Sequence, residues 1–145
     1  MIRSILAVLA GIAVIVVTSF GIEAAVNPLL MRLFPDALPN EAAMSHNAAA
    51  WLFTFAYTFL CVVAGGYVAA RLASRFPMRH AVALGLLQSA LTIPAMITFP
   101  DKAPLWGWIL SIVIVIPAAW LGGFLCARHG QARRIAPSKR ARMIC

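Results

Sequence analysis

Four apolar runs, none interrupted by Asp, Glu, Lys or Arg, account for most of this chain of 145 residues. They cover residues 5–22, 50–70, 81–99 and 105–127. A bilayer's hydrocarbon core is about 30 Å thick, so a helix needs roughly 20 apolar residues to cross it. In lipid, only helices and closed barrels satisfy every backbone polar group, and these runs lack the two-residue alternation of barrel strands. The expected fold is therefore an all-α integral membrane protein, a four-transmembrane-helix bundle. A single transmembrane domain spans 1–127, followed by a basic cytoplasmic tail over 128–145. Composition agrees, with 63% hydrophobic and 11% charged residues, against roughly 45–50% and about 25% in soluble domains. So short a chain has too little interior to hide that much apolar surface from water, and disorder requires the opposite balance. The first run has 18 apolar residues, longer than the roughly 7–15 of a signal peptide, and reads as a retained helix.

Formal net charge is +8, from twelve basic residues against four acids. The bases stand at the ends of apolar runs, as in a topology signal rather than a nucleic-acid surface. With a cytoplasmic N-terminus, four spans return the C-terminus to the same side. That side then holds Arg3, Arg71, Arg75, Arg79, Arg128, Arg133, Arg134, Lys139, Arg140 and Arg142, ten of the twelve bases and no acid. The other side holds Arg32, Lys102, Glu23, Asp36, Glu41 and Asp101. This asymmetry predicts a multi-pass protein of the bacterial cytoplasmic (inner) membrane with both termini inside. The expected partners are the lipid bilayer, anionic headgroups along the arginines at about 1 kcal/mol each, and a second copy or larger membrane complex. Nucleic acid is not expected.

Between the first two runs, residues 23–49 form an outer loop whose apolar first part is expected along the interface. Pro35 and Pro39 break it, and Asn40 is placed to cap a short helix over 41–47. Residues 100–104 make a tight turn, so the third and fourth helices form a hairpin.

Two helix ends look alike. Gly65-Gly66-Tyr67-Val68-Ala69-Ala70-Arg71 and Gly122-Gly123-Phe124-Leu125-Cys126-Ala127-Arg128 are offset by 57 residues, and Trp51 matches Trp108 at that offset. Arg3 matches Arg79 at an offset of 76, leaving 19 extra residues in the first outer loop. This suggests two tandem helical hairpins in parallel repeat. Small residues let helix backbones approach closely, where dispersion replaces the hydrophobic drive that lipid does not offer. Gly65, Gly66, Gly122 and Gly123 are thus the expected packing faces, within the bundle or between copies.

Polar groups inside the runs are few. Ser and Thr can bond to their own helix, but Gln88 needs a partner, because an unpaired amide in hydrocarbon is costly. An interhelical hydrogen bond is expected, with a substrate contact as the alternative. Glu23, at the outer end of the first run, and His46 are the candidate ionisable groups, together with Gln88, of a polar site. Pro94 and Pro117 are expected to kink their helices. Cys61, Cys126 and Cys145 form no CxxC or Cys/His cluster, so neither a metal site nor a disulfide framework is indicated. No phosphate loop, zinc-protease or nucleophile-elbow motif occurs. No catalytic residue or cofactor is expected.

Carried by Gly65–Arg71 and Gly122–Arg128, the pattern resembles small, uncharacterised bacterial inner-membrane proteins with four spans and Gly-Gly-x-x-x-Ala-Arg helix ends. That resemblance covers the whole chain and implies no activity. The chain also looks similar to small multidrug transporters in having four helices and an acid in the first. In those the acid lies mid-helix, whereas Glu23 is read here at the helix end. The expected role is a small non-enzymatic membrane protein, an accessory or interaction subunit or a homo-oligomer packed through its Gly-Gly faces. The alternative is a small transporter or channel for a proton-coupled or cationic solute, using Glu23 and Gln88.

Overall fold

The computed structural model describes residues 2–40, 43–44, 47–73 and 76–141, with side chains between residues 4 and 130 of those ranges. Four long helices are described: α1 (Ile2–Leu33), α2 (Ala48–Leu72), α3 (Pro77–Thr98) and α4 (Leu105–Ala141). A 3-10 turn, Pro100–Lys102, links the last two, and no strand occurs among the described residues. All four helices are long and apolar enough to cross a membrane. The chain is a multi-pass, all-α membrane bundle.

Helix ends follow local chemistry. Asn47 caps α2, its side-chain oxygen accepting from the Ala49 and Ala50 amides at 2.9 and 3.2 Å. Asn40 does the same for the short turn after it, accepting from Ala43 at 2.8 Å. Pro77 opens α3 at a position where its missing N–H is no loss. Phe76 before it adopts a left-handed conformation, with φ of 53°. The Arg79 guanidinium lies 4.6 Å from the Phe76 ring centroid, and His80 Nδ1 donates to the Phe76 carbonyl at 3.1 Å.

Two helices run further than their apolar runs. α1 has 32 residues, about 48 Å at 1.5 Å per residue. It continues through Glu23 and Pro28 instead of giving way to an interfacial loop at residue 23. It stops at Leu33, just before Phe34-Pro35, where proline disfavours helix in the residue ahead of it. α4 continues past Arg128 to Ala141, so the basic tail begins as an extension of the last helix. Its alanines, arginines, glutamine and lysine favour helix, while Gly130 and Pro137 within it do not. Pro94 and Pro117 lie within α3 and α4 without interrupting either helix.

α1 and α2 pack antiparallel, as do α3 and α4, while α2 and α4 run parallel. Close approaches fix these directions. Gly11 of α1 lies against Gly65 of α2, and Glu23 reaches Tyr57. Gly85 of α3 lies against Ala119 of α4, and Ser89 reaches Ile112. Gly66 of α2 lies against Ala119, while Trp51 meets Trp106. Thus two hairpins of like orientation follow one another.

The glycine pairs meet through one member of each, a Cβ on Gly122 coming 3.1 Å from the Gly66 carbonyl carbon, while Gly65 and Gly123 face other helices. Neighbouring residues on a helix point about 100° apart, so one pair faces two neighbours. A Cβ on Gly65 would come 2.8 Å from the Gly11 carbonyl oxygen of α1. On Gly66 it would come 2.6 Å from the Ala119 carbonyl oxygen of α4. Gly122 faces α2, and Gly123 faces Ala81 of α3. Each pair sets its helix into a corner between two others. The two pairs do not correspond residue for residue, since the first glycine of one and the second of the other face the hairpin partner. α3 also packs on α2 and α1, whereas α1 has no comparable contact with α4.

The core mixes branched aliphatic side chains with alanines: Ile15, Val62, Ala69, Leu84, Val115, Ala118 and Ala119. Large side chains point outward, with Val17 and Ile97 more than 70% exposed. Water would penalise that distribution, but lipid tails do not. Glycine and alanine inside with leucine, isoleucine and phenylalanine outside is the arrangement expected of helices that associate by close packing in hydrocarbon.

Candidate functional site: a polar cleft at the acidic end

Among the described residues the acids are Glu23 on the last turns of α1, Asp36 just after that helix and Asp101 in the α3–α4 turn, all at one end of the bundle's connectivity. There the structure has a cleft of about 370 Å³. Its lining comes from α1 (Glu23, Asn27), the connection before α2 (Met44), α2 (Ala50, Trp51, Thr54, Tyr57) and the α3–α4 turn (Lys102). Helical spacing explains the convergence: 23 and 27 are one turn apart on α1, and 50, 54 and 57 succeed each other on one face of α2.

At its centre the Tyr57 hydroxyl donates to Glu23 Oε1 at 3.0 Å. Tyr57 is buried and Glu23 half-buried. The carboxylate offers about four lone-pair sites, so one phenol leaves accepting capacity toward the cleft. The Thr54 hydroxyl is turned to its own helix, donating to the Ala50 carbonyl at 3.0 Å. Trp51 packs against Phe55 and Trp106 with ring centroids 5.3 and 6.2 Å away, so aromatic stacking holds its position at the cleft wall.

Glu23 is not at a helix end. It sits ten residues before Leu33, inside α1. The apolar run stops there, but α-helix continues because Ala24, Ala25 and Leu29–Leu33 sustain it. His46 lies outside the described residues. Gln88 is half-buried on α3 and does not line the cleft. The interhelical hydrogen bond expected of it is made by its neighbour: the buried Ser89 hydroxyl donates to the Ile112 carbonyl of α4 at 3.1 Å. The Gln88 carbonyl accepts from Thr92 within α3 at 2.9 Å. A one-residue step turns the side chain by about 100°, and that step separates the α4-facing side from the outer one. Ser89→Ala is accordingly expected to destabilise the bundle by about 1 kcal/mol, and Gln88→Leu by less. Thermal unfolding in detergent checks this; Gln88→Leu as the costlier change would reverse the assignment.

At the opposite end, Arg71 donates to the Tyr67 hydroxyl at 3.3 Å and the Arg128 guanidinium lies 5.5 Å from the Phe124 ring centroid. Arg79 covers Phe76, as above. Arg75 falls outside the described residues; Arg133 and Arg134 lie on the extension of α4.

Four polar cleft residues were not singled out from sequence: Asn27, Thr54 as a wall residue, Tyr57 and Lys102. Tyr57 carried a usable signal, since a phenol amid an apolar run needs a partner. Lys102 carried another, as one of two bases on the side otherwise assigned to acids. No family model, no curated protein and no solved structure matches this chain.

Proposed function

We propose that this chain is a small non-enzymatic module of a bacterial cytoplasmic membrane, with both ends inside, that binds a small ammonium-bearing group in its outward-facing cleft. The observation that carries this reading is the Glu23–Tyr57 pair in a polar cleft at the end of an otherwise apolar, glycine-closed bundle. The orientation rests on the sequence, which places ten of the twelve bases on the other side of the four spans. A partly shielded carboxylate attracts a cation more strongly than one in bulk water, and Trp51 adds an aromatic wall of the kind that attracts cations. The glycine faces are occupied within the chain, since Gly65, Gly66, Gly122 and Gly123 are all buried against neighbouring helices. Assembly into a homo-oligomer or larger complex would therefore use the outer leucine and phenylalanine surface. A transport route through Glu23 and Gln88 has less support, because Gln88 does not line the cleft.

The test is titration of ethanolamine into protein in phosphatidylglycerol nanodiscs, followed by tryptophan fluorescence. Saturable binding is expected, weakened about tenfold or more by Glu23→Gln, the scale of one lost charge-assisted contact. No saturable binding, or identical titrations for the two proteins, overturns the reading.

A further inference from the structure

Glu23 is not the only charged residue at the cleft. Lys102 lines it as well, delivered from the α3–α4 turn. The two do not form an ion pair with each other, among the described residues. Two opposite charges brought from distant parts of the chain to one cleft, yet not neutralising one another, leave both available to a ligand. A simple cation answers Glu23 and leaves Lys102 unanswered; a simple anion does the reverse. A group carrying both signs answers both.

The depth of the cleft narrows the chemistry. Trp51 lies twenty residues before Arg71 on α2, about 30 Å of helix, which is one hydrocarbon thickness. Glu23 lies nineteen residues beyond Ser4 on α1, nearly the same rise. With the arginines at one interface, the cleft sits at the other, where lipid headgroups and aqueous solutes both have access. Tyr57 lies six residues deeper than Trp51, about 9 Å toward the hydrocarbon. The cleft therefore has its carboxylate–phenol pair on α1 and α2 and its ammonium on the exposed turn.

We infer that the cleft binds an ammonium–phosphate zwitterion, the ammonium at Glu23 and Tyr57 and the phosphate at Lys102. This rests on the ammonium-binding reading above and adds its second half. The shared chemistry belongs to a phosphatidylethanolamine headgroup and to soluble phosphoethanolamine alike.

The experiment compares ethanolamine with phosphoethanolamine in phosphatidylglycerol nanodiscs, for the unaltered protein, Lys102→Met and Glu23→Gln. Phosphoethanolamine is expected to bind about tenfold more tightly than ethanolamine, the scale of one charge-assisted contact. Lys102→Met is expected to abolish that advantage without weakening ethanolamine, while Glu23→Gln weakens both. Adding phosphatidylethanolamine to the nanodisc is expected to displace soluble phosphoethanolamine if the headgroup is the natural occupant; undiminished binding assigns the site to the soluble zwitterion. Equal affinities for the two probes, or an advantage that survives Lys102→Met, overturns the zwitterion assignment while leaving ammonium binding intact. Failure of both probes to bind overturns both.

Discussion

Gly122→Ala is expected to lower the unfolding midpoint of the detergent-solubilised protein by roughly 5–10 °C, the largest effect of any single methyl in this bundle. A Cβ at that position would press into the Val63 carbonyl oxygen and come 2.7 Å from the Tyr67 amide nitrogen. These are backbone atoms of α2, which have no rotamer to change, so the helices must separate. Overpacking of this kind costs about 1–3 kcal/mol and occasionally more, and a chain of this length loses about 2–4 °C per kcal/mol. Gly66→Ala, whose Cβ would meet the Ala119 carbonyl oxygen at 2.6 Å, is expected to behave alike from the other side of the same interface. Gly21→Ala supplies the control. Nothing lies within 4 Å of a Cβ there, and alanine in mid-helix is favoured over glycine by about 0.5–1 kcal/mol, so that variant should be unchanged or slightly more stable. Equal midpoints for Gly122→Ala and Gly21→Ala would refute the close α2–α4 contact.

Leu84→Ala is the second large effect, for the opposite reason. Leu84 has no exposed surface and is one of the two largest fully buried side chains. Its Cδ1 occupies the space over Gly11 of α1 that a Cβ there would otherwise claim. Removing it opens a cavity where α1, α2 and α3 come together, and buried leucine truncations cost about 2–5 kcal/mol. The hydrophobic share of that figure is small here, because the unfolded reference also lies in lipid. The packing share remains, since a void has no atoms to supply the lost dispersion contacts. Leu86→Ala, at a side chain that is 54% exposed, is expected to be near neutral. Similar losses at positions 84 and 86 would mean that α3 is rotated from its described orientation.

The spans were readable because each is a long uncharged run, and lipid allows only one way to satisfy so many backbone groups without water. The side-chain bond from Asn40 to the Ala43 amide was readable, whereas most of the short helix expected over 41–47 lies outside the described residues. Helix ends were not readable where apolar content and helix propensity part company. α1 continues ten residues past Glu23 because alanine, leucine and methionine keep forming helix after the apolar run ends. α4 likewise runs on through the basic tail, although Gly130 and Pro137 lie within it. The site was half legible: Glu23 stood out as an acid beside an apolar run, but Tyr57 read as one more aromatic and Lys102 as a turn residue. Nothing in one dimension says that residues 23, 57 and 102 share a cleft.

The amino-acid order alone therefore determined the solvent, the number of helices and the way the charges divide between the two ends, because these follow from run length and composition. Only the tertiary structure decided which face of each helix meets which neighbour. It turned Gly65 toward α1 and Gly66 toward α4, gave the interhelical bond to Ser89 rather than Gln88, and brought an acid, a phenol and a lysine to one opening. The physical reason is that a helix turns about 100° per residue, while in lipid no hydrophobic stripe marks the inward side. Rotation about the axis is set by the fit of small residues between helices, which exists only once the helices are together.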